Sequence, residues 1–574
     1  MYEKIAEFVN EGKQQEALQL INEELALGTE YNDTLAILEA EVYRQQGNRE
    51  KLFESIQKGL LVNPYNFELY FLLGEYYQGV NDKQAYLCYE QAEYYCECGD
   101  DLLAISAEKE KLKVKVPGVS FVILSYNAKE EMKLCLESIK KNVPSSYEII
   151  IIDNASTDGV KEYLKEQNGF KIAFNDINVG FPAGCNQGIK MAIPENDIFL
   201  LNNDTIVPPN AIFWLRMGLY EDEIVGATGS VSNCVSNFQA IDKDYSTVEE
   251  WLKFAQKNNV LMDQPYERKI RLIGFALMLK RTVLDQVGWL DERYTPGNFE
   301  DDDLSFRLLQ AGYQMLLCRN AFIFHWGSRS FSKNIEQLRQ VVENNQYKFR
   351  QKWGMDAYYY SYERRELTEF IDAPAGQSMN VLEIGCGLGA TLGHIQNFYP
   401  NASVYGIELD PHVVNMAQKY IPTIIQGDIE SMQLDYPDRS FDYIIFADVI
   451  EHLHTPEAVL KRVERYLKPD GFILVSIPNV MNYTVILDLL KGWFTYADSG
   501  ILDRTHLRFF TLKESVGMFK RCGYKVTDFI RKCIELPTDD QEMYDALLKI
   551  PNIAAKEEFD TYQYLFKIQK AKNE

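Results

Sequence analysis

Apolar residues recur at helical spacing through the first 112 positions, as in Leu69-Tyr70-Phe71-Leu72-Leu73-Gly74-Glu75-Tyr76-Tyr77. Pro117-Gly118 breaks this pattern. Beyond it, largely apolar runs predict strands at Val119 to Leu124, Glu148 to Ile152 and Asp197 to Leu201, with a helix from Glu130 to Lys141 between the first two. Strand, helix and strand in succession make a βαβ unit, and so a parallel sheet. A second series starts at Asn380 and continues with strands at Ser403 to Ile407, Thr423 to Gln426, Tyr443 to Ala447 and Phe472 to Ser476. The expected architecture is multidomain: an all-α helical region over 1–115, an α/β domain over 116–355, a linker over 356–375, a second α/β domain over 376–535 and a C-terminal helical extension over 536–574.

In the front region, Gly12-Lys13-Gln14-Gln15-Glu16-Ala17, Gly47-Asn48-Arg49-Glu50-Lys51-Leu52 and Val80-Asn81-Asp82-Lys83-Gln84-Ala85 align at spacings of 35 and 33 residues. This resembles tetratricopeptide repeats, whose period is about 34 residues. The resemblance implies stacked helix pairs with a concave face for a protein partner or for self-association. A plain helical bundle is the alternative.

A length of 574 residues exceeds one ordinary core. The net charge of -25 speaks against a general nucleic-acid or anionic-membrane binder, because phosphates are repelled. None of the ten cysteines forms a CxxC pair, so neither a zinc site nor a disulfide framework is suggested, and free thiols in a reducing cytoplasm are expected. Met1-Tyr2-Glu3-Lys4 does not open a signal peptide, and no apolar run is long enough to span a bilayer. Peripheral membrane contact is the most that this pattern allows.

Ligands of parallel sheets lie beyond the carboxyl ends of the strands. Ser125, Tyr126, Asp153 and Asp204 fall at such ends. Tyr126 can stack on a base and Asp153 can accept its hydrogen bonds, although both residue types are common in turns. The glycine-rich stretch from Asn178 through Gly180 to Gly188 lacks the GK[ST] of a Walker loop. Further on, Glu300-Asp301-Asp302-Asp303 places four carboxylates in a row. Alone, such a run reads as a solvated turn. Here Leu304, Leu308 and Leu309 follow at helical spacing, Gly312 can cap the helix, and Asp303 can pair with Arg307. The carboxylates then stand at a helix N-terminus, where the backbone dipole favours negative charge and one of them can act as a general base.

In their order along the chain, Ile123 to Asn127, Ile152 to Gly159, Asn178 to Phe181 with Asn186, Leu200 to Thr205, Gly274 to Arg281, the acidic run and His325-Trp326-Gly327-Ser328 resemble family-two glycosyltransferases of the GT-A (nucleotide-diphospho-sugar transferase) fold. The rhamnosyltransferase-like branch is the most similar, since it often carries Asn-Asn-Asp where other members have Asp-x-Asp. Asn202 cannot supply the first carboxylate of that motif, so cation binding falls mainly on Asp204. The resemblance implies that Ser125, Tyr126, Asp153, Gly180, Asn186 and Asp204 bind a nucleotide-sugar donor. It implies that Asp204 and His325 hold Mg2+ or Mn2+ against the diphosphate. Asp301 becomes the base, made more basic by its neighbour Glu300, and one in-line displacement inverts the anomeric centre. Asp302 is expected to be solvated.

In the second α/β series, Asn380-Val381-Leu382-Glu383-Ile384-Gly385-Cys386-Gly387-Leu388-Gly389 reads as a strand entering a glycine turn, which by itself suits any Rossmann-type binder. Glu408 and Asp428 follow the next two strands, Asp448-Val449-Ile450-Glu451-His452-Leu453 follows the fourth, and Lys468-Pro469-Asp470-Gly471 precedes the fifth. Together these resemble a class I S-adenosylmethionine-dependent methyltransferase with a Rossmann-like fold. The resemblance implies S-adenosylmethionine binding by Glu383, Gly385, Gly387, Gly389, Glu408, Asp428, Ile429 and Asp448. A sugar hydroxyl is a weak nucleophile that benefits from a base, and His452, His454 and His506 are the candidates. The alternative is that they only shape the pocket.

The expected function is a cytoplasmic bifunctional enzyme that transfers a sugar to a glycan or protein acceptor and methylates the glycan. Its expected setting is surface polysaccharide or glycoprotein assembly, such as that of a flagellar protein. One competing reading keeps the methyltransferase and makes the glycosyltransferase-like domain an inactive glycan- or protein-binding scaffold; another makes the whole chain a repeat-based scaffold with two degenerate enzymes.

Overall fold

The computed structural model describes residues 1–144, 147–327, 335–535 and 540–571, in two compact units, Met1–Trp353 and Gly354–Glu574. Ser328 of the expected His325 motif lies outside the described residues.

The first unit begins with seven helices: α1 (Tyr2–Asn10), α2 (Gln14–Ala26), α3 (Asp33–Gln45), α4 (Arg49–Val62), α5 (Phe67–Tyr77), α6 (Asp82–Tyr95) and α7 (Gly99–Lys111). Four start on asparagine caps. Asn32, Asn48, Asn66 and Asn81 each accept a backbone N–H three residues on, satisfying a donor that the helix start leaves unpaired. Helices α1, α3 and α5 each pack on the helix that follows, and α3 lies against both α1 and α5.

These helices share a hydrophobic core with the sheet domain behind them. Leu69, Leu73 and Ala92 bury with Phe213, Trp214 and Leu215 in one cluster. At this seam Asn210 is 3% exposed; it accepts from Gln91 Nε2 at 2.9 Å and Tyr95 Oη at 2.7 Å, and donates to the Pro64 carbonyl at 3.0 Å. Arg216 pairs with Glu90 beside it.

The sheet domain contains β1 (Val119–Ser125), β2 (Tyr147–Asp153), β3 (Lys171–Phe174), β4 (Asp197–Asn202), β5 (Thr205–Ile206), β6 (Val225–Val231), β7 (Tyr266–Lys269), β8 (Ala276–Leu279), β9 (Gln314–Phe322) and β10 (Phe324–His325). Eight of them form one sheet in the order β3-β2-β1-β4-β8-β6-β9-β7, and β5 pairs with β10. β1, β2, β3 and β4 run parallel, so their carboxyl ends align. β8 runs antiparallel to β4 and brings Gly274 and Phe275 back to that same edge.

The second unit holds β11 (Met379–Ile384), β12 (Ala402–Glu408), β13 (Ile424–Gln426), β14 (Phe441–Ala447), β15 (Leu467–Pro478), β16 (Tyr524–Cys533) and β17 (Thr561–Lys570). Their order is β13-β12-β11-β14-β15-β17-β16. Two sequence expectations change here. The tail expected to be purely helical ends in β17, which lies between β15 and β16 and runs antiparallel to both. Six consecutive residues, Gln563 to Ile568, are buried, so the strand lacks the in-out alternation that marks a strand in sequence. The stretch expected as a linker is built into this unit through two short helices, Ala357–Tyr360 and Arg365–Thr368. The Tyr360 carbonyl accepts the Leu388 N–H at 2.9 Å. No helix among the described residues is long and apolar enough to cross a membrane.

Candidate functional site

At the carboxyl edge of the first sheet, Ser125 and Asp153 stand in register on adjacent strands. Both are fully buried, and neither the Ser125 hydroxyl nor Asp153 Oδ1 finds a hydrogen-bond partner. Buried polar groups are nearly always paired, so two orphans side by side mark a place suited to a polar ligand. Tyr126 follows them, 39% exposed.

Asp204 comes next along this edge. The pairing of β5 with β10 puts His325 opposite Thr205, and the Asp204 carbonyl accepts the Trp326 N–H. Asp204 Oδ1 lies 3.3 Å from His325 Nε2. The Nδ1 of His325 is 2.8 Å from the Cys234 carbonyl, which can only accept, so Nδ1 carries a hydrogen and the neutral ring offers Nε2 as a ligand atom; against burial, Asp204 raises the His325 pKa. This donor pair fits a cation: a carboxylate oxygen and an imidazole lone pair meet with the ring orientation fixed from behind. Asn202 also reaches this ring, with Nδ2 3.3 Å from His325 Nε2.

The acidic run starts the Glu300–Gln310 helix and is not a solvated turn. Its four members have separate surroundings. Asp301 accepts the Gly274 N–H through Oδ2 and the Asp302 N–H through Oδ1, both at 2.9 Å. Burial, followed by the charge of Asp302, pushes its pKa up to about 6 against the pull of those two N–H groups. Glu300 is buried with Oε2 unpartnered; burial first and Asp301 second push it well above the usual carboxylate range. Asp303 pairs with Arg307 at 2.9 Å, as its spacing predicts. Asp302 departs from expectation. It is 1% exposed and forms an ion pair with Arg271 at 2.7 Å, so it serves the core and not the solvent.

The base candidate and the cation candidate are linked through two consecutive residues. Gly274 holds Asp301, and the Phe275 ring stacks on His325 at 5.0 Å between centroids. The sequence alone does not give Gly274 this role, because nothing in its local pattern shows which carboxylate its N–H will meet.

Two predicted donor-binding residues are engaged elsewhere. Asn186 donates to the Leu290 carbonyl and to Glu292, both at 2.9 Å, and accepts the Leu290 N–H, so its amide is a brace. Gly180, at φ +88°, packs so tightly that an added Cβ would lie 2.7 Å from the Thr295 methyl group. Its glycine is required by protein contacts.

In the second unit Gly385, Gly387 and Gly389 all take positive φ. A Cβ on Gly387 would meet the Tyr360 carbonyl at 2.8 Å and one on Gly385 the Val449 methyl at 2.6 Å. Glu408 accepts the Gly387 N–H at 2.9 Å and those of Leu409 and Asp410, which fixes the turn. Glu383 is buried with Oε2 unpartnered, and burial pushes its pKa up to about 8. These turns and acids fit S-adenosylmethionine. Asp428 caps its own turn through the Glu430 N–H, next to buried Ile429. Asp448 is committed within the protein: Ser476 Oγ donates to it at 2.7 Å, Gln563 Nε2 at 2.5 Å, and Arg364 pairs with it. It organises the ends of β14, β15 and β17, a role that needs Arg364 and Gln563 from segments expected to be a linker and a tail. His452 and His506 come together with ring centroids 4.8 Å apart. Burial, then the neighbouring His506, lowers the His452 pKa.

The two units therefore present the ligand edges of a GT-A-like domain and a Rossmann-like methyltransferase domain. Comparison with known proteins agrees: residues 120–288 match the family model "Glycosyl transferase family 2" and residues 356–528 the family model "Methyltransferase domain". Poly-beta-1,6-N-acetyl-D-glucosamine synthase of Staphylococcus epidermidis is 25% identical over 266 residues, 45% of this chain and 57% of that protein. Ajmaline N-methyltransferase of Rauvolfia serpentina is 28% identical over 115 residues, 19% of this chain and 39% of that protein. Among solved structures, GalNAc-T7 with UDP, GalNAc and Mn2+ aligns at 16% identity and a TM-score of 0.35, over 44% of this chain and 52% of that one. The chain spans less than two thirds of the length of either curated relative.

Proposed function

We propose that the chain is a bifunctional transferase. The first unit moves a sugar from a nucleotide-sugar donor to a glycan or protein acceptor with inversion, and the second methylates the glycan from S-adenosylmethionine. The proposed setting is surface polysaccharide or glycoprotein assembly in the cytoplasm. The observation that carries the reading is Asp301, a carboxylate with a raised pKa, linked through Gly274 and Phe275 to the Asp204–His325 pair.

Asp153 and Ser125 offer unpartnered polar atoms to the nucleobase, with Tyr126 as a stacking surface. Asp204 and His325 are the residues to hold Mg2+ or Mn2+, which when bound neutralises charge on the leaving diphosphate. Asp301 takes the acceptor hydroxyl proton as that oxygen attacks the anomeric carbon. A carboxylate with a pKa near 6 is a better base than an ordinary one and is still ionised at neutral pH. The Asn202-Asn203-Asp204 order supports the rhamnosyltransferase-like branch.

In the second unit, the glycine turn and Glu408 hold the methyl donor, with Glu383 and Ile429 beside it. The paired stacking of α1 to α6 supports the tetratricopeptide-like reading, with the face lined by α1, α3 and α5 as the surface for a protein partner or for self-association.

A panel of nucleotide sugars with Mn2+, read by mass spectrometry of released nucleotide, tests the first activity. Turnover of one donor, abolished by Asp204→Ala, supports the reading. Binding of glycan with no turnover of any donor would instead favour an inactive scaffold.

A further inference from the structure

In the second unit Glu451 is 1% exposed, and neither oxygen of its carboxylate has a hydrogen-bond partner. Leaving a buried carboxylate uncompensated is costly. The guanidinium that acts on it from a distance, that of Arg364, is shared among Asp448, Glu366 and Gln563. What faces Glu451 is a pair of imidazoles. The ligand atoms of Glu451, His452 and His506 all lie within 4.8 Å of one another.

Both rings are oriented from behind. His506 Nδ1 is 2.9 Å from the Ile501 carbonyl, and His452 Nδ1 is 3.2 Å from the Thr505 carbonyl. A carbonyl only accepts, and the Thr505 hydroxyl, also 3.2 Å from His452 Nδ1, donates to Asp503, so each Nδ1 carries a hydrogen and each neutral ring offers Nε2 as a ligand atom. Imidazoles that bind metals are held this way. The backbone fixes the separation: the N–H groups of Leu507 and Arg508 both donate to the Glu451 carbonyl, at 2.8 and 3.0 Å. Asp503 in turn accepts from the Thr505 hydroxyl at 2.6 Å. Three groups from two distant segments are thus locked around one point, and the acidic one has no hydrogen-bond donor of its own.

We propose that Glu451, His452 and His506 bind a divalent transition-metal ion whose open positions take the hydroxyl that is to be methylated. Two imidazoles and one carboxylate suit Zn2+, Mn2+, Fe2+ or Co2+, whereas Mg2+ and Ca2+ favour sets dominated by oxygen. The histidines then act as ligands in place of the base role expected from sequence. A coordinated hydroxyl is more acidic and gives its proton to solvent water. Its oxygen forms a bond to the methyl carbon, the carbon–sulfur bond breaks, and that electron pair stays on sulfur as the sulfonium becomes a thioether. The hydroxyl half of this inference rests on reading the second unit as an O-methyltransferase; the metal half does not.

The test uses the full chain carrying Asp204→Ala, so that the cation expected in the first unit does not contribute. The protein is titrated with Co2+ and its visible absorption recorded. One equivalent should bind, with absorption bands of imidazole-ligated Co2+. His506→Ala and Glu451→Gln should each weaken binding by about tenfold or more, with unchanged circular dichroism. No Co2+ binding, or equal binding by a folded Glu451→Gln chain, overturns the site. Calorimetry with S-adenosylmethionine on the parent chain is the separate arm: failure there sinks the methyltransferase reading and the hydroxyl half with it, while Co2+ binding still decides the metal half. Methyl transfer that survives complete metal removal also overturns the hydroxyl half.

Discussion

The Asp301 carboxylate accepts the backbone N–H of Gly274 at 2.9 Å. Its second oxygen is fixed by the Asp302 N–H, so its orientation is set by main chain. Asp301→Asn should keep donor affinity and lose about 10²- to 10⁴-fold in kcat. Isothermal titration with donor nucleotide and a transfer assay separate the two. Transfer at the parental rate would remove Asp301 as the base.

A pH profile follows from the same residue. The base works only when deprotonated, and its pKa is raised to about 6. Sugar transfer should therefore fall as pH drops through about 6 and level off above it. In Asp301→Glu, which has one more methylene, the limb should move. A flat profile between about pH 5 and 8 contradicts the assignment.

Arg271 and Asp302 form a buried pair, with side chains 7% and 2% exposed. Breaking such a pair strands a charge and costs about 3–5 kcal/mol. Arg271→Leu should lower the urea midpoint of the first unit by that equivalent. Equal stability of Arg271→Leu and parent at neutral pH would show that Asp302 is hydrated.

The final strand gives a prediction about truncation. β17 is hydrogen-bonded to β15 on one side and β16 on the other, and it carries the Gln563 that holds Asp448. A chain ending at Asp560 should lose S-adenosylmethionine binding and become protease-sensitive after residue 354, while nucleotide-sugar binding by the first unit persists. Retained S-adenosylmethionine binding contradicts this.

Chelation should abolish sugar transfer and Mn2+ should restore it, with Asp204→Ala refractory to restoration. An Asp204→Ala chain as active as the parent would move the cation elsewhere.

What the sequence reveals depends on the range of the interactions. β1 and β2 are largely apolar runs, so the pattern alone puts Ser125 and Asp153 at strand ends. Asp303 and Arg307 are four residues apart, and helix geometry alone brings them together. Asp302 looks the same in sequence as its neighbours, yet its partner Arg271 is 31 residues away and reached only through tertiary packing. Thr561–Lys570 is hidden in the sequence because a central strand is buried on both faces and follows the helix-like, charged Lys556–Asp560. His452 draws attention as a histidine. Glu451 beside it belongs to the same motif, but its burial and its lack of a partner exist only in the fold.

The seam at Asn210 bears on how this chain can diversify. One buried amide joins the α4–α5 turn, α6 and the sheet domain, and apolar side chains from both sides fill a common core around it. The front helices cannot be exchanged as a cassette by recombination near residue 115, because the cut would bare Phe213 and leave Asn210 without its donors. Under the proposed function, new partner choice would come from point changes on the outer helical surface, at a fixed separation from the Asp204–Asp301 edge.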